Sequence, residues 1–427
     1  MLQSAQILIN AFNQDLPYNT FLEHQLAGDE LAPGDPAAIV ATGYLAAGPK
    51  DIVENNARTR ANEVDDLVAT TGSAFLGLTI ACARCHDHKY DPISQKNFFE
   101  LSSFFNQVDE AGQISWDDAT PAPTMLLTDE KKDQLLSFLL GEKEKQEAQL
   151  AQTAKAEEAA FQDWFTGKGY QKDANLEFPA SRVAFFHFDQ SSIQNALKPA
   201  QKGSMESSEV KNQSPSYVEG RKGKGIRLNG DAWLNLGEVG IFSRSEPFSV
   251  STWISVPKNL TDGVIFHKGS GAVLYNWRGY HLSLKNNRLE LLMAHTAPYN
   301  AITKLTEQDI PRDQWINLTL TYDGSSKAKG LKIFLNGKEL STVTTHDNLY
   351  KDILFKGGQP GLQVGAVWRG KGLKEAVVDE VSVYNQELSP LEILQIFNPT
   401  EYKILLSRDP EQLTAEQRAS LKKLYLN

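Results

Sequence analysis

Two hydrophobic periods divide the chain. From residue 2 to about residue 165, apolar side chains recur every three or four positions, the spacing of one face of an α-helix. Phe21, Leu22, Leu26 and Ala27 predict a short amphipathic helix that ends near Gly28. Pro33-Gly34-Asp35-Pro36 is a turn, and Ala37 to Tyr44 resumes as helix. Val64, Leu67, Val68 and Thr71 share a helical face, and Phe75, Leu76, Leu78 and Ile80 lead on from it. Ser94 is a predicted N-cap for a helix carrying Phe98, Phe99, Leu101, Phe104 and Phe105. Thr128 caps a long polar helix that reaches about Phe165, with Leu135, Leu136, Leu139 and Leu140 on one side and Gly141 interrupting the pattern. Heptads are not sustained there, so a spacer helix or helical hairpin is expected rather than a coiled coil.

From Arg182 the period falls to two. Val183–Phe188, Trp233–Leu236, Phe248–Ile254, Trp315–Tyr322 and Leu331–Leu335 alternate as strands, and Asn336-Gly337 is a hairpin signal. Asp379–Tyr384 closes the set, and Ser389 starts a short helix. Many short strands with regular turns predict a β-sandwich, in which Trp253 and Trp315, lying in alternating strands, should be buried. The expected organisation is multidomain α + β: a mainly helical region over 1–127, a helical linker over 128–179, a sandwich over 180–398 and a helical tail over 399–427.

Composition is that of a globular protein, with 41% hydrophobic and 22% charged residues. Acidic residues outnumber basic ones, 53 against 43, for a formal charge of -10. That excess argues against a nucleic-acid partner or an anionic membrane surface. No apolar run reaches the ~18 residues of a membrane span. The first residues, Met1 to Gln6, lack a basic stretch followed by an apolar run, so no export signal is read there.

The sharpest chemistry lies in Cys82-Ala83-Arg84-Cys85-His86-Asp87-His88, which holds both cysteines of the chain. On a helix, positions i, i+3 and i+4 share a face. Cys82, Cys85 and His86 could meet one flat ligand, as haem c attachment requires: two thioethers and an imidazole on iron. Three other readings stay open. Two thiolates with His86 or His88 suit zinc or iron, a Cys82–Cys85 disulfide suits an oxidising compartment, and a purely structural thiol pair needs no ligand. His88, two residues from His86, is a poor sixth iron ligand and a better donor behind the first ligands. Met125 is a conceivable axial thioether, though filler is the simpler role. His24 reads as surface or core filler, and the phenylalanine stripe from Phe98 to Phe105 reads as core or as one wall of a haem pocket.

The segments Asn13–Tyr18, Gln25–Asp29, Thr70–Thr79 and above all Cys82–Ile93 closely resemble the cytochrome-like domain of large planctomycete-type multidomain proteins. In that family the domain is followed by a helical linker, a laminin-G-like domain and a further domain of unknown function. The resemblance implies that this chain is an internal piece of a longer exported protein, periplasmic or extracellular, with part of the first domain and the whole last domain missing. The series Gly225–Gly230, Phe248–Trp253, Trp315–Gly324, Ile333–Gly337 and Asp379–Asn385 looks like the laminin-G/concanavalin A-like jelly roll, and His295–Ile302 resembles the variant in the same family.

Two functions follow as expectations. One is a haem c or redox module, with a redox partner protein, joined to a lectin-like domain. The alternative is a non-redox carbohydrate-binding or adhesion protein whose thiol motif is structural or binds zinc or iron. For a polysaccharide or glycoconjugate, the candidate contacts are Trp277, Tyr299 and Trp368, large rings set among Gly, Asn or Arg. Their competing role is to pack the sandwich edges. Calcium is common in related folds, with Asp379 a candidate ligand. No G-x-S-x-G, H-E-x-x-H or paired-carboxylate motif is recognisable, so no catalytic residue is assigned.

Overall fold

The computed structural model describes residues 2–45, 47–48, 57–106, 130–208, 216–269, 278–298, 300–355, 358–365 and 372–426. Two compact units divide it, Met1–Phe138 and Leu139–Asn427.

The first unit is helical. It contains α1 (Leu2–Asn13), α2 (Tyr18–Leu31), α3 (Pro36–Ala41), α4 (Ala57–Thr71), α5 (Gln95–Phe105) and the start of α6 (Glu130–Thr166). Asp35 caps α3 by accepting from the Ala37 N–H at 2.9 Å. Ser94 and Asn97 form a reciprocal capping box at the start of α5. The core joins Val64, Leu67 and Val68 of α4 to Ile80, Ala83, Phe98 and Phe105. The α5 phenylalanines divide between two faces. Phe98 and Phe105, seven positions apart, are buried, whereas Phe99 and Phe104 are 51% and 76% exposed.

In the second unit α6 runs through Gly141 without a break. Leu135, Leu136, Leu139 and Leu140 along it are exposed, whereas Phe161 and Phe165 near its end are buried. Those two rings pack with Tyr170 against the tail: Leu391 of α7 (Pro390–Phe397), Tyr402, Leu405 and Leu406 of α8 (Pro399–Leu406) and Leu421 of α9 (Ala415–Leu426). Lys422 pairs with Glu158, Arg418 bonds Gln162, and Tyr170 Oη donates to the Arg408 carbonyl at 2.8 Å. The tail is thus helical and folded back on α6.

The sandwich is antiparallel. Its described residues form two sheets of eight strands. The first contains β1 (Arg182–Phe186), β3 (Ser216–Glu219), β4 (Lys224–Asn229), β6 (Phe248–Ser255), β11 (Trp315–Tyr322), β12 (Leu331–Leu335), β13 (Lys338–Glu339) and β16 (Lys374–Tyr384). Its order is β13-β12-β11-β6-β16-β4-β3, with β1 also on β16. The second contains β2 (Ser204–Ser207), β5 (Ala232–Asn235), β7 (Gly263–Lys268), β8 (Gly279–Lys285), β9 (Arg288–Thr296), β10 (Asn300–Thr306), β14 (Thr342–Asp347) and β15 (Gln363–Val364), in the order β14-β10-β9-β8-β7-β15-β5-β2.

Val250, Ile254, Leu318 and Leu320 of the first sheet share one core with Leu282, Leu289, Leu291 and Met293 of the second. Each such side chain contributes roughly 1.5–3 kcal/mol by leaving water. The other face of the first sheet is polar and buried: Asn317 Nδ2 donates to Ser251 Oγ at 3.1 Å, and Thr319 Oγ1 bonds the same hydroxyl at 2.9 Å. Trp253 is buried there, its ring 5.9 Å from that of Phe397. Trp315, expected to be buried, is only partly so. It is the first residue of β11, at the margin of the sheet. No helix among the described residues is long and apolar enough to cross a membrane.

Candidate functional site

Two places carry chemistry. In the helical unit, Gly77 ends the segment after α4 with a left-handed φ of 66°, which frees the chain to start a 3₁₀ turn at Ile80–Arg84. In a 3₁₀ turn, residues i and i+3 eclipse, so Cys82 and Cys85 stand on the same side. Both thiols are exposed and free. Ala83, between them, is fully buried in the core. The motif therefore plugs inward through its alanine and presents both sulfurs outward.

Polar contacts fix the loop. Arg84 Nε lies 2.8 Å from Asp65 Oδ2, and its Nη2 donates to Asn62 Oδ1 at 3.1 Å. Gln95 donates its N–H to Asp87 Oδ1 (2.8 Å) and its Nε2–H to the Arg84 carbonyl (2.9 Å).

Hydrogen bonds also separate the two histidines. His86 Nδ1 meets the Asp87 carbonyl at 2.8 Å. A carbonyl only accepts, so this nitrogen carries the proton and Nε2 keeps its lone pair for a ligand. His88 is the reverse: the Asp91 and Tyr90 N–H groups both point at its Nδ1, at 2.9 and 3.4 Å. Asp91 Oδ2 is also 3.2 Å from that atom, but two amides directed at one nitrogen leave it as the acceptor. His88 then holds its proton on Nε2, is mostly buried, and organises the turn to Ile93, whose carbonyl accepts from the His88 N–H at 2.8 Å. Among the described residues no cluster of three or more His, Cys, Asp or Glu side chains is arranged to hold a metal ion.

The second place is the face of the second sheet turned away from the core. Its register lines up one residue per strand: Ser204↔Asn235, Asn235↔Gln363, Gln363↔His267, His267↔His281, His281↔Leu292, Leu292↔Thr303 and Thr303↔His346. The sequence neighbours Met205, Leu234, Leu362, Val364, Phe266, Tyr280, Leu282, Leu291, Met293 and Ile302 all lie in the core cluster. Alternation therefore sends the row outward. With strands about 4.8 Å apart, the row is about 33 Å long. Asn235, Gln363, His281 and Thr303 are half-buried, and His267 is buried.

Two carboxylates flank the row, both engaged. Glu206 accepts from Trp233 Nε1 at 3.1 Å and Asn235 Nδ2 at 2.7 Å. Burial would raise the Glu290 carboxyl, yet hydrogen bonds and charge from His281 and Lys285 hold it at about 2. The acids sit on β2 and β9, five strands apart in the sheet order, roughly 24 Å. A glycosidase pair needs roughly 5–9.5 Å.

Trp277, Tyr299, Trp368 and Met125 lie outside the described residues. Neighbours of the first two are firmly held: Arg278 Nε donates to the His295 carbonyl at 3.2 Å, and Asn300 Oδ1 accepts from the Tyr350 N–H at 3.0 Å. Asp379 is fully buried. Its Oδ2 accepts from the Lys222 N–H at 3.1 Å and its Oδ1 from the Glu380 N–H at 2.8 Å. Its carboxylate pins the β3–β4 hairpin to β16. Neither the cross-strand row nor this pin was marked in the sequence; both depend on strand register.

The chain thus joins a helical region to an antiparallel lectin-like β-sandwich and a short helical tail. Residues 2–110 match a family described as a protein of unknown function (DUF1549), and residues 228–394 match the concanavalin A-like lectin/glucanases superfamily. Among curated proteins, botulinum neurotoxin type X of Clostridium botulinum is 24% identical over 193 residues, 42% of this chain. The chain matches 13% of that relative's length. Among solved structures, domain 4 of a Geobacillus stearothermophilus arabinanase, AbnA, in complex with arabinotriose is 21% identical, with a TM-score of 0.37 over 51% of this chain and 98% of that one. The ligand-binding domain of botulinum neurotoxin serotype D in complex with N-acetylneuraminic acid is 14% identical, with a TM-score of 0.38 over 52% of this chain and 51% of that one.

Proposed function

We propose that the chain is a non-hydrolytic glycan-binding protein whose sandwich holds an extended polysaccharide across its second sheet. The observation that carries this reading is the cross-strand row. Asn235, Gln363, His267 and His281 follow one another on four adjacent strands of one face, and Thr303 lies beyond Leu292 on the strand after next. His267 is buried and the other four polar side chains are half-buried. Side-chain amides, imidazoles and hydroxyls both donate and accept, as sugar hydroxyls do. The 33 Å estimate suits a chain rather than a single ring. The wide separation of Glu206 and Glu290 supports binding without cleavage. The family match of residues 228–394 agrees with a lectin-like role. Trp277, Tyr299 and Trp368 remain candidate stacking rings at the margins.

The test is a panel of polysaccharides titrated into the full chain by calorimetry, without and then with calcium. Asn235→Ala with His281→Ala should weaken binding at least tenfold while leaving the melting temperature within a few degrees. Unchanged affinity in that double variant rejects the face. Full affinity after Trp277→Ala with Trp368→Ala confines the site to the row. Shortening of the polymer during the titration rejects the non-hydrolytic reading.

A second reading concerns the thiol loop: Cys82 and Cys85 attach haem c, and His86 Nε2 is the iron ligand. Outward thiols on one side of a 3₁₀ turn and a His86 tautomer with Nε2 free favour it. The haem would supply one-electron chemistry, and a redox partner protein would follow from that. Full chain exported in cells that carry haem-attachment machinery should show a Soret band and covalent haem mass, both lost in Cys82→Ala. Stoichiometric zinc or iron without haem would replace this reading with a metal-thiolate site. A Cys82–Cys85 disulfide, or free thiols with no ligand, would make the motif structural.

A further inference from the structure

We propose a second carbohydrate site, a pocket for one neutral sugar ring, where the chain leaves β1. A cavity of about 350 Å³ opens there, lined by His187, Phe188, Gln190, Ser192, Gln194 and Pro199 among others. That volume lies at the small end of ligand pockets, roughly 300–1,000 Å³, and suits a single ring. The polar lining is mostly uncharged: three side-chain amides (Gln190, Gln194 and Asn195), a hydroxyl and an imidazole, with the Asn195 amide already bonded to Phe185 N–H and Gln201 Oε1. Its one acidic member is already committed. Asp189 Oδ2 accepts from His187 Nδ1 at 3.0 Å, and its Oδ1 accepts from the Lys224 N–H at 2.9 Å.

That arrangement is built into the backbone. Gly223 has a φ of 62°, and a Cβ there would fall 1.8 Å from Asp189 Oδ1, so glycine is required for Asp189 to reach its position. In the tautomer that keeps the proton on Nδ1 toward Asp189, His187 offers Nε2 as an acceptor. Gln194 Nε2 is used by the Pro199 carbonyl at 2.6 Å, which turns its Oε1 into a fixed acceptor. Ser192, partly buried, and Gln190 make no hydrogen bond among the described residues, so their donors and acceptors remain for a ligand. Phe188 and Ser191 hold positive φ values of 24° and 53°. Side chains rarely adopt these, and such strain collects at ligand clamps.

Acceptors from His187 and Gln194, with a two-way hydroxyl and a two-way amide from Ser192 and Gln190, match vicinal hydroxyls. Each hydroxyl of a sugar ring donates one bond and accepts others. Phosphate or sulfate would want cations, and no lysine or arginine is among the lining residues. The pocket stands on residues other than those of the polysaccharide row, and neither proposal needs the other.

Saturation-transfer NMR on the full chain, with neutral methyl glycosides as probes and methyl glucuronide and inorganic phosphate as controls, tests it. At least one neutral methyl glycoside should give a signal that falls at least fivefold in Ser192→Trp, which fills the cavity. The milder Gln190→Ala with Ser192→Ala should weaken the same signal, and Asn235→Ala with His281→Ala should leave it intact. No signal from any neutral probe overturns the proposal. A signal indifferent to both pocket variants does the same, as does one seen with phosphate or glucuronide alone. Loss of the polysaccharide titration in the row variant alone bears on the row and leaves the pocket standing.

Discussion

Arg84 Nε stands 2.8 Å from Asp65 Oδ2, and this ion pair fastens the thiol loop to α4. The arginine is about half exposed and the aspartate is mostly covered, so screening limits the pair to about 0.5–1 kcal/mol. Its larger effect is on order. Arg84→Ala should lower the stability of the helical unit by no more than that amount and raise the alkylation rate of Cys82 and Cys85 severalfold. An unchanged rate would show that Gln95 and Asp87 suffice to hold the loop.

Ala83 and the cysteines beside it should respond in opposite ways. Ala83 is fully buried and both cysteines are exposed. Ala83→Leu overpacks the core and should cost about 1–3 kcal/mol in denaturant unfolding. Cys82→Ser and Cys85→Ser should each stay within about 0.5 kcal/mol. A tolerated leucine would mean that the motif does not plug inward.

The end of α6 and the tail should unfold as partners. Phe161 is 1% exposed, against Tyr402 at 1% and Leu421 at 0%. Phe161→Ala should cost about 3–5 kcal/mol. Truncation after Asn398 should expose the same rings and raise binding of a hydrophobic dye. Neither effect is expected of a free linker and a free tail.

These elements show where sequence legibility stops. Alternation from Val183 to Tyr384 is strong because each strand has one face on a shared core, and the helical period of α4 and α5 follows from the same cause. Cys82, Cys85 and His86 stand out in the sequence as a candidate site because their spacing alone suggests a shared ligand. The polar row does not: Asn235, Gln363 and His281 are neighbours only through register, which two-residue periodicity leaves open. The pocket was hidden for a related reason. Val183–Phe188 reads as one strand, but the structure ends β1 at Phe186, and the turn that follows makes the cavity. The packing of Phe161 against Tyr425, ring centroids 5.7 Å apart, joins positions far apart in the chain, and no local pattern signals it. Trp315 shows the limit of alternation, which gives a face but not a distance from the sheet margin.

Lys268 lends the sandwich an alkaline signature. Its side chain is fully buried, with Nζ donating to Gln359 Oε1 at 2.8 Å. Burial lowers its pKa to about 8, with Asp352 opposing and Arg278 assisting. Between about 8 and the ordinary 10.5, the unfolded chain binds more protons than the folded one. Stability should therefore rise with pH across that window, by about 3 kcal/mol. Thermal melts from pH 7.5 to 10.5 should show the rise in the parent, and Lys268→Met should remove it.

Asp379 should give the matching signature in acid. Burial pushes its carboxyl up to about 6, against the hydrogen bond from the Lys222 N–H. The ordinary value is 3.8, so the folded state holds a proton that the unfolded chain has released. The resulting stability is fully present below about 3.8 and is lost as the pH rises through about 6, a change of about 3 kcal/mol. Asp379→Asn cannot ionise, so its pH profile should lack this fall, and the parent-minus-variant difference should carry it. Asparagine also turns an amino group toward one of the two backbone N–H groups that the carboxylate serves, so the variant should be less stable than the parent below pH 4. Melts of parent and variant between pH 3.5 and 7 check both points. A parent-minus-variant difference with no fall between pH 4 and 6 would show that Asp379 ionises at its ordinary value and that the hairpin pin carries a full charge.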